Sequence, residues 1–483
     1  MIINMKTKYF LTLLLLLLLF SGCAQMTIDD SAAVQSNAIQ DLRIVPGDTP
    51  ITSDEAINVA LMFMMRKSPT TKVSSSKITG VQTINNMKGQ PVMYAVCFEK
   101  NKGFVIISAS RKYQPVLAEE EKHTFTDHRQ STGFDIWVQE QTVLINIAES
   151  LPETDETVRR YREEWKDYER LPISSIATKD DNLLTLRANA IATWEAQGYT
   201  CFDLGDCPNS LPQSVYENWL DLAEQVANPD YNYLTNSIIL YMREDTTVQH
   251  GPYLTTIWGQ DAPYNAYLPL INGLRPRAGC AIVAMGQIMR KHEWPNCYYW
   301  SSMGDYYTDE DTAPAVATLF YDLGAAAQTN YGVGGSSTNP NNLVSAITNN
   351  HFNYSATLVS HSYSSAKSEV IAERPVYMQG IDVISNTPHA WVCDGVKTYW
   401  THRNYILKVL SSDEPLSYVT AGTPYNSYET SEYLHMNWGE DGAANGWFYQ
   451  DSVHFAGQVY FEWIEFNMSA NRSDIIGITP NQN

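Results

Sequence analysis

Cys280 stands in the run Arg277-Ala278-Gly279-Cys280-Ala281-Ile282-Val283-Ala284-Met285-Gly286-Gln287-Ile288-Met289. The Ala, Ile, Val and Met after it predict a buried helix that ends before Pro295, with Cys280 at or near its N-terminus. Unpaired N–H groups and the positive end of the helix dipole favour a thiolate there. Gly279 removes a side chain beside the sulfur, where a substrate carbonyl has to approach. On position alone, a buried cysteine in an apolar helix explains the same residues. A thiol nucleophile also needs a base, and with ten His in the chain spacing cannot choose one. His389 opens the apolar stretch Ala390-Trp391-Val392-Cys393 between Pro388 and Asp394-Gly395, which reads as a strand leaving a turn. A base at a strand end is held firmly, although an ordinary strand histidine reads the same way. In Tyr433-Leu434-His435-Met436-Asn437-Trp438-Gly439-Glu440, the Asn437 carbonyl can accept from an imidazole N–H, and Trp438 can shield that bond from water.

Several elements must position these groups. Thr52 or Ser53 reads as an N-cap with Asp54 and Glu55 in the first turn, and Ala56, Ile57, Ala60, Leu61 and Met64 predict a helix to about Arg66. Strand-like runs follow at Ile78 to Ile84, Pro91 to Glu99 and Gly103 to Ala109, the last two forming a hairpin, so 51 to about 127 is a small α+β unit. From Phe134 to about Leu171 apolar residues recur at helical spacing between charges. Residues 172–240 read as mixed. From about Tyr241 glycine and aromatic residues rise and short strands dominate. The implied organisation is 1–22 leader, 23–50 tether, 51–128 small α+β unit, 129–240 helical connecting region and 241–483 the largest domain.

The balance of 32 Lys+Arg against 53 Asp+Glu leaves a net charge of −21 over 483 residues, which argues against a nucleic-acid partner. Lys6 and Lys8 precede an apolar run from Tyr9 to Phe20, followed by Ser21-Gly22-Cys23. This predicts a secretory signal, and the Cys resembles the lipidation site of bacterial lipoproteins. The chain is then expected to be exported and anchored to a membrane through a lipid on Cys23. Cys201 and Cys207 can close a small loop in an oxidising compartment, and the spacing does not require it. His123 and His128 lack a metal-ligand pattern, so neither a metal nor another cofactor is expected.

Taken together, Gly-Cys before an Ala/Val/Met-rich Gln-Ile-Met helix, His389-Ala-Trp-Val-Cys-Asp-Gly, and His435-Met-Asn437-Trp438-Gly resemble the streptopain family of papain-like cysteine peptidases. Trp258-Gly259-Gln260, Tyr331-Gly332-Val333-Gly334-Gly335-Ser336 and Arg374-Pro375-Val376-Tyr377-Met378-Gln379-Gly380 fit the same pattern, so the resemblance covers about 245–465. Tyr94–Phe98, Gly103–Ala109 and Pro115–Ala118 resemble that family's inhibitory pro-domain. The resemblance implies an α+β, papain-like fold, with a helical part carrying Cys280 and an antiparallel sheet part carrying His389. It implies an endopeptidase made as a zymogen, acting on proteins or peptides through a thioester. Cys280 would be the nucleophile, His389 the base, Asn437 its orienting partner, Trp438 the cover and Gln260 the oxyanion donor beside Gly279-Cys280. A peptide-binding lipoprotein with weak catalysis and a cysteine amidase acting on cell-wall peptides remain alternatives. Two departures stand out. Thr387-Pro388 precedes the His where the family often has Gly. Glu440 stands where the family commonly has a second Trp, and there it either raises the pKa of His389 or points into solvent.

Overall fold

The computed structural model describes residues 50–67, 78–86, 88–99, 103–122, 125, 133–169, 181–206, 211–308, 311–382, 387–450, 454–455, 458–459 and 472–482. The leader with Cys23, and also His123, His128 and Cys207, lie outside them. The N-terminal unit opens with helix α1 (Ser53–Lys67). A capping box starts it: Glu55 N donates to Thr52 Oγ1 at 3.3 Å, and Thr52 N donates to Glu55 Oε2 at 2.7 Å. An antiparallel meander follows, β1 (Ile78–Asn85), β2 (Pro91–Phe98), β3 (Phe104–Ser108) and β4 (Val116–Glu120). The expected hairpin is β2–β3, with Cys97 opposite Phe104. Two helices then run α2 (Gly133–Ser150) and α3 (Glu156–Glu169).

The stretch that read as mixed is a lobe of α4 (Asp181–Ala196), β5 (Thr200–Asp203) and α5 (Gln213–Val226), leading into the long strand β6 (Ile238–His250). Beyond it lie α6 (Cys280–His292), α7 (Pro314–Ala326), α8 (Pro340–Ile347), β7 (Tyr354–Ser360), α9 (Tyr363–Ile371) and β8 (Val376–Asp382). The chain then forms β9 (Thr387–Leu410), β10 (Tyr418–Thr420), β11 (Tyr425–Asn437), β12 (Gly446–Tyr449) and β13 (Ser473–Pro480).

The fold is α+β, as expected, but the N-terminal unit is not a separate body. Strand β4 pairs with β12, Glu119 opposite Trp447 and Ala118 opposite Phe448, so the meander continues into the large sheet in the order β4-β12-β11-β9-β8. One apolar core runs through the junction, from Met93 and Phe104 to Trp391, Trp438 and Phe448. A second core lies on the other side of β8–β9 and holds α6 with Ile282, Val283 and Met285 against Ala390 and Val392.

The boundary expected near 240 falls inside β6. That strand pairs with β9 from Ile238 opposite Lys408 to His250 opposite Val396, and β5 pairs with its first residues. The lobe packs Trp219 and Ala223 against Tyr405, Leu407 and Val409 of β9. Residues 200–206 and 211–250 therefore belong to the body that carries the large sheet. A protease needs a locally opened strand, so brief trypsin treatment of the native chain is expected to leave the bond after Arg243 uncut, although Arg is a trypsin site. An early fragment ending at Arg243 in mass spectra would show that β6 is not locked in this ladder.

Candidate active site

Cys280 is the first residue of α6, and Gly279 before it has φ 95° and ψ 131°, a conformation open only to glycine at low strain. A Cβ on Gly279 would come within 3.3 Å of the Ser336 side chain. Ser336 fixes the neighbouring loop by donating from Oγ to Arg277 O at 2.6 Å and accepting from Gly332 N at 3.2 Å. The loop Tyr331–Ser336 thus lies against Gly279, the residue before the thiol. On the other side Ala390 N donates to Cys280 Sγ at 3.3 Å. Residue 390 directly follows His389, so the strand carrying the histidine meets the sulfur through its backbone.

Burial pushes the Cys280 thiol above its ordinary pKa, and the Glu440 carboxylate adds to the rise; the N–H groups of Ala390 and Ala281 and the Arg277 guanidinium oppose it without prevailing. Burial pushes His389 down to about 4, with Asp382 opposing and Arg277 adding to the fall. At neutral pH both groups are therefore uncharged: a thiol and a neutral imidazole, not a thiolate–imidazolium pair.

Gln260 sits beside the nucleophile's segment, since Ala278 N donates to Gln260 O at 2.8 Å. Its side-chain Nε2 donates to Glu440 Oε1. Glu440 does not point freely into solvent; its carboxylate is mostly covered and paired. It bridges Gln260 to Arg277, whose Nη2 lies 2.9 Å from Glu440 Oε2, while Arg277 Nε lies 3.2 Å from Asp261. Burial raises the Glu440 pKa against the pull of Arg277. Beside it, burial and then Glu440 and Asp261 raise Asp441 to about 6. The sequence reading missed Arg277 and Asp441. Gly259 leaves room for Asp441, since any Cβ there would fall 2.3 Å from Asp441 Oδ1.

Asn437 is not placed as expected. Its Oδ1 accepts from Gln287 Nε2 at 3.2 Å and Gly439 N at 3.2 Å, and its Nδ2 donates to Thr256 O at 2.7 Å and Gln287 Oε1 at 3.2 Å. These four bonds use both lone pairs and both protons of the amide. Asn437 staples α6 to β11 and has nothing left for the His389 ring. Trp438 likewise does not cover a His–Asn contact. Its ring packs tilted against Trp391 at 5.4 Å between centroids and edge-on against Phe134 of α2 at 6.4 Å. Gln287 was visible in the motif but had no assigned role, because its partner lies 150 residues away.

Helix α2 lies against the strand face shared by Trp391 and His389. A Cβ on Gly133 would meet the Trp438 ring at 2.5 Å, and Ile136 approaches Gly380, which pairs with His389. Gln139 Nε2 donates to Asp382 Oδ1 at 3.1 Å, and Glu140 Oε1 pairs with Arg472 Nη1 at 2.9 Å. These positions recur every three or four residues, a single helical stripe.

Residues 258–298 and 296–448 match the model of the Peptidase C10 family, and residues 48–144 match that of the Spi protease inhibitor. Curated relatives include the thiol protease/hemagglutinin PrtT of Porphyromonas gingivalis, 24% identical over 47% of this chain and 26% of its own length. Streptopain of Streptococcus pyogenes is 21% identical over 41% of this chain and 54% of its own length. The matched region thus spans between about a quarter and about half of these relatives. A solved fragment of Prevotella intermedia prointerpain A aligns at TM-score 0.44 with 16% identity, covering 84% of this chain and 99% of that chain.

A raised thiol pKa means less thiolate at neutral pH than a free cysteine has, so Cys280 of the full chain is expected to react slowly with iodoacetamide at pH 7. Its rate should climb only above the ordinary value of 9.0. Peptide mapping separates it from exposed Cys297. Fast alkylation of Cys280 at pH 6 in the intact chain would contradict the uncharged pair.

Proposed function

For a chain whose residues 258–448 belong to the Peptidase C10, or streptopain, family, we propose that it is the latent precursor of an exported cysteine endopeptidase, anchored through a lipid on Cys23. The observation that carries this reading is Cys280 Sγ at the first turn of a buried apolar helix, 3.3 Å from the backbone N–H that follows His389. In the active arrangement the thiol proton passes to His389 and Sγ attacks the carbonyl carbon of a peptide bond. The carbonyl electron pair moves to oxygen, which takes hydrogen bonds from the Cys280 N–H and the Gln260 amide. Collapse breaks the C–N bond, and the amine leaves with the proton held by His389. Water, losing its proton to His389, then splits the thioester and restores the thiol.

Latency follows from the N-terminal unit. Its α2 stripe covers the face of His389, its strand β4 completes the sheet edge at β12, and residues 48–144 match an inhibitor model. Burial under that unit supports the low pKa of the histidine. Its removal would let water reach the strand face that carries His389.

Cys280→Ala is expected to lower peptide hydrolysis by about a thousandfold or more while the fold survives, because the thiol is the attacking group. Casein digestion by the processed form of wild type and variant measures this, and equal activity would overturn the assignment. The wild-type full chain is expected to be much less active than the processed form. Cys23→Ser should move the protein from the membrane fraction to the soluble fraction, since serine cannot carry the thioether-linked lipid. Unchanged membrane recovery on fractionation would remove the anchor.

A further inference from the structure

Glu440 stands on a turn that is held from several sides. Gly439, Asp441 and Gly442 have φ of 73°, 51° and 81°, so the chain reverses tightly around the residue. Trp438 N donates to Asn445 Oδ1 at 2.9 Å, Gly439 N donates to Asn437 Oδ1 at 3.2 Å, and Ala443 N donates to Glu440 O at 2.8 Å. The turn is wedged between two segments of the site. A Cβ on Gly439 would come within 3.2 Å of Val283 of α6, and one on Gly442 within 3.1 Å of Ile257, just before Trp258-Gly259-Gln260. This placement brings the Glu440 carboxylate to the Gln260 amide, where Oε1 accepts from Gln260 Nε2. Its other oxygen, Oε2, accepts from Arg277 Nη2 at 2.9 Å. Gln260 is 5% exposed, and its backbone O is held by Ala278 N at 2.8 Å.

We propose that Glu440 is the positioning residue of Gln260, fixing which end of that amide serves the oxyanion, with Arg277 balancing its charge. The inference rests on the peptidase reading above, in which Gln260 is an oxyanion donor. A glutamine amide has an oxygen at one end and N–H groups at the other, and half a turn of the group exchanges them. An N–H stabilises the developing oxyanion, whereas an oxygen turned toward it repels it. An ionised carboxylate only accepts, so the contact with Glu440 admits Nε2 and rejects Oε1. One Nε2 proton then goes to Glu440, and the nitrogen carries a second for the substrate oxygen. The arrangement has a cost, because a carboxylate in this place opposes negative charge on the sulfur and on the oxyanion. Arg277, paired with Glu440 Oε2, offsets it. Glu440 thus orients the donor, and Arg277 keeps that orientation from working against the reaction.

The test compares wild type, Glu440→Gln, Gln260→Ala and the double variant. Full chains are followed by NMR of the Gln260 side-chain amide. Their processed forms are assayed for kcat and KM on a peptide and for alkylation of Cys280 by iodoacetamide. Glutamine at 440 keeps the size of the side chain and can meet Gln260 with either end. Glu440→Gln should therefore lower kcat about tenfold and leave KM within about twofold. It should also speed alkylation, which needs no oxyanion donor, because the charge that helps to hold the thiol up is gone. Loosened packing alone would not move the two rates in opposite directions. With Gln260→Ala already present, Glu440→Gln should cost no further kcat. The Gln260 Nε2 protons should exchange slowly with solvent in wild type and faster in Glu440→Gln. An unchanged or higher kcat in Glu440→Gln would overturn the proposal, as would a slowing of both reactions together or an equal loss in the Gln260→Ala background. If processed wild type hydrolyses no peptide, the peptidase reading fails, and the full chain still decides the part of Glu440: Gln260 protons that exchange alike with and without its carboxylate would overturn it.

Discussion

The alternation of side chains along β9 governs how the site is assembled. Ala390 and Val392 face the core of α6, while Trp391 and Cys393 face the core that contains Ile136 and Trp137 of α2. Helices α6 and α2 therefore pack on opposite sides of the same strand. His389 lies where this strand begins, on the face of Trp391, and its next N–H reaches the sulfur at 3.3 Å. A one-residue slip of β9 would reverse both relations together. The 24-residue length of β9 guards against that slip, since it is paired along one side by β11 and along the other by β8 and then β6.

Close packing then fixes how near α2 comes. Trp391, Trp438, Phe134 and Phe448 form a continuous aromatic wall, with centroids 5.2–6.4 Å apart in the contacting pairs. Such rings bury large areas and tolerate little displacement. Only a residue without Cβ fits at 133, so the helix starts hard against Trp438. From that origin the helical repeat carries Ile136, Gln139 and Glu140 across the histidine's strand. The proposed latency would thus rest on packing geometry, with a hydrogen bond from Gln139 to Asp382 at its far end.

Local signals and distant pairings explain what could be read in the chain. The Cys280 helix, the capping box at Thr52 and the β2–β3 hairpin are set by residues within a few positions of one another. The motif residues Cys280 and Ala390, neighbour of His389, do meet. The lobe of α4, β5 and α5 read as mixed because its partners lie far along the chain: Cys201 pairs with Leu240, and Trp219 packs on β9 residues beyond 400. Asn437 had the right residue type for orienting an imidazole, but a motif does not reveal that Gln287 would claim both ends of its amide. Asp382 carried no signal at all, because its relation to His389 exists only through the register of β8 on β9. The merging of the two sheets at β4 and β12 was invisible for the same reason.

The contact between the N-terminal unit and the long ribbon β6–β9–β11 differs in character from the aromatic wall. Asp167 of α3 accepts from Tyr241 Oη at 2.6 Å and from Arg403 Nε and Nη2 at 3.2 and 3.1 Å, and it also pairs with Arg243. Glu119 of β4 accepts from Lys397 Nζ at 2.8 Å, Tyr399 Oη at 2.6 Å and Lys67 Nζ, on α1, at 2.6 Å. Burying such charges returns little net stability compared with apolar residues of the same size, because desolvation offsets the Coulomb attraction. Breaking one partner while the interface stays closed is nevertheless costly, since the other charge is left buried alone. The arrangement therefore resists partial loosening yet does not make full separation prohibitive. On full separation Lys397, Arg243 and Arg403 regain water, which greasy residues in their place could not do without exposing an apolar strip. At this ribbon, then, the interface holds firmly while closed and would present charge instead of an apolar strip on separation.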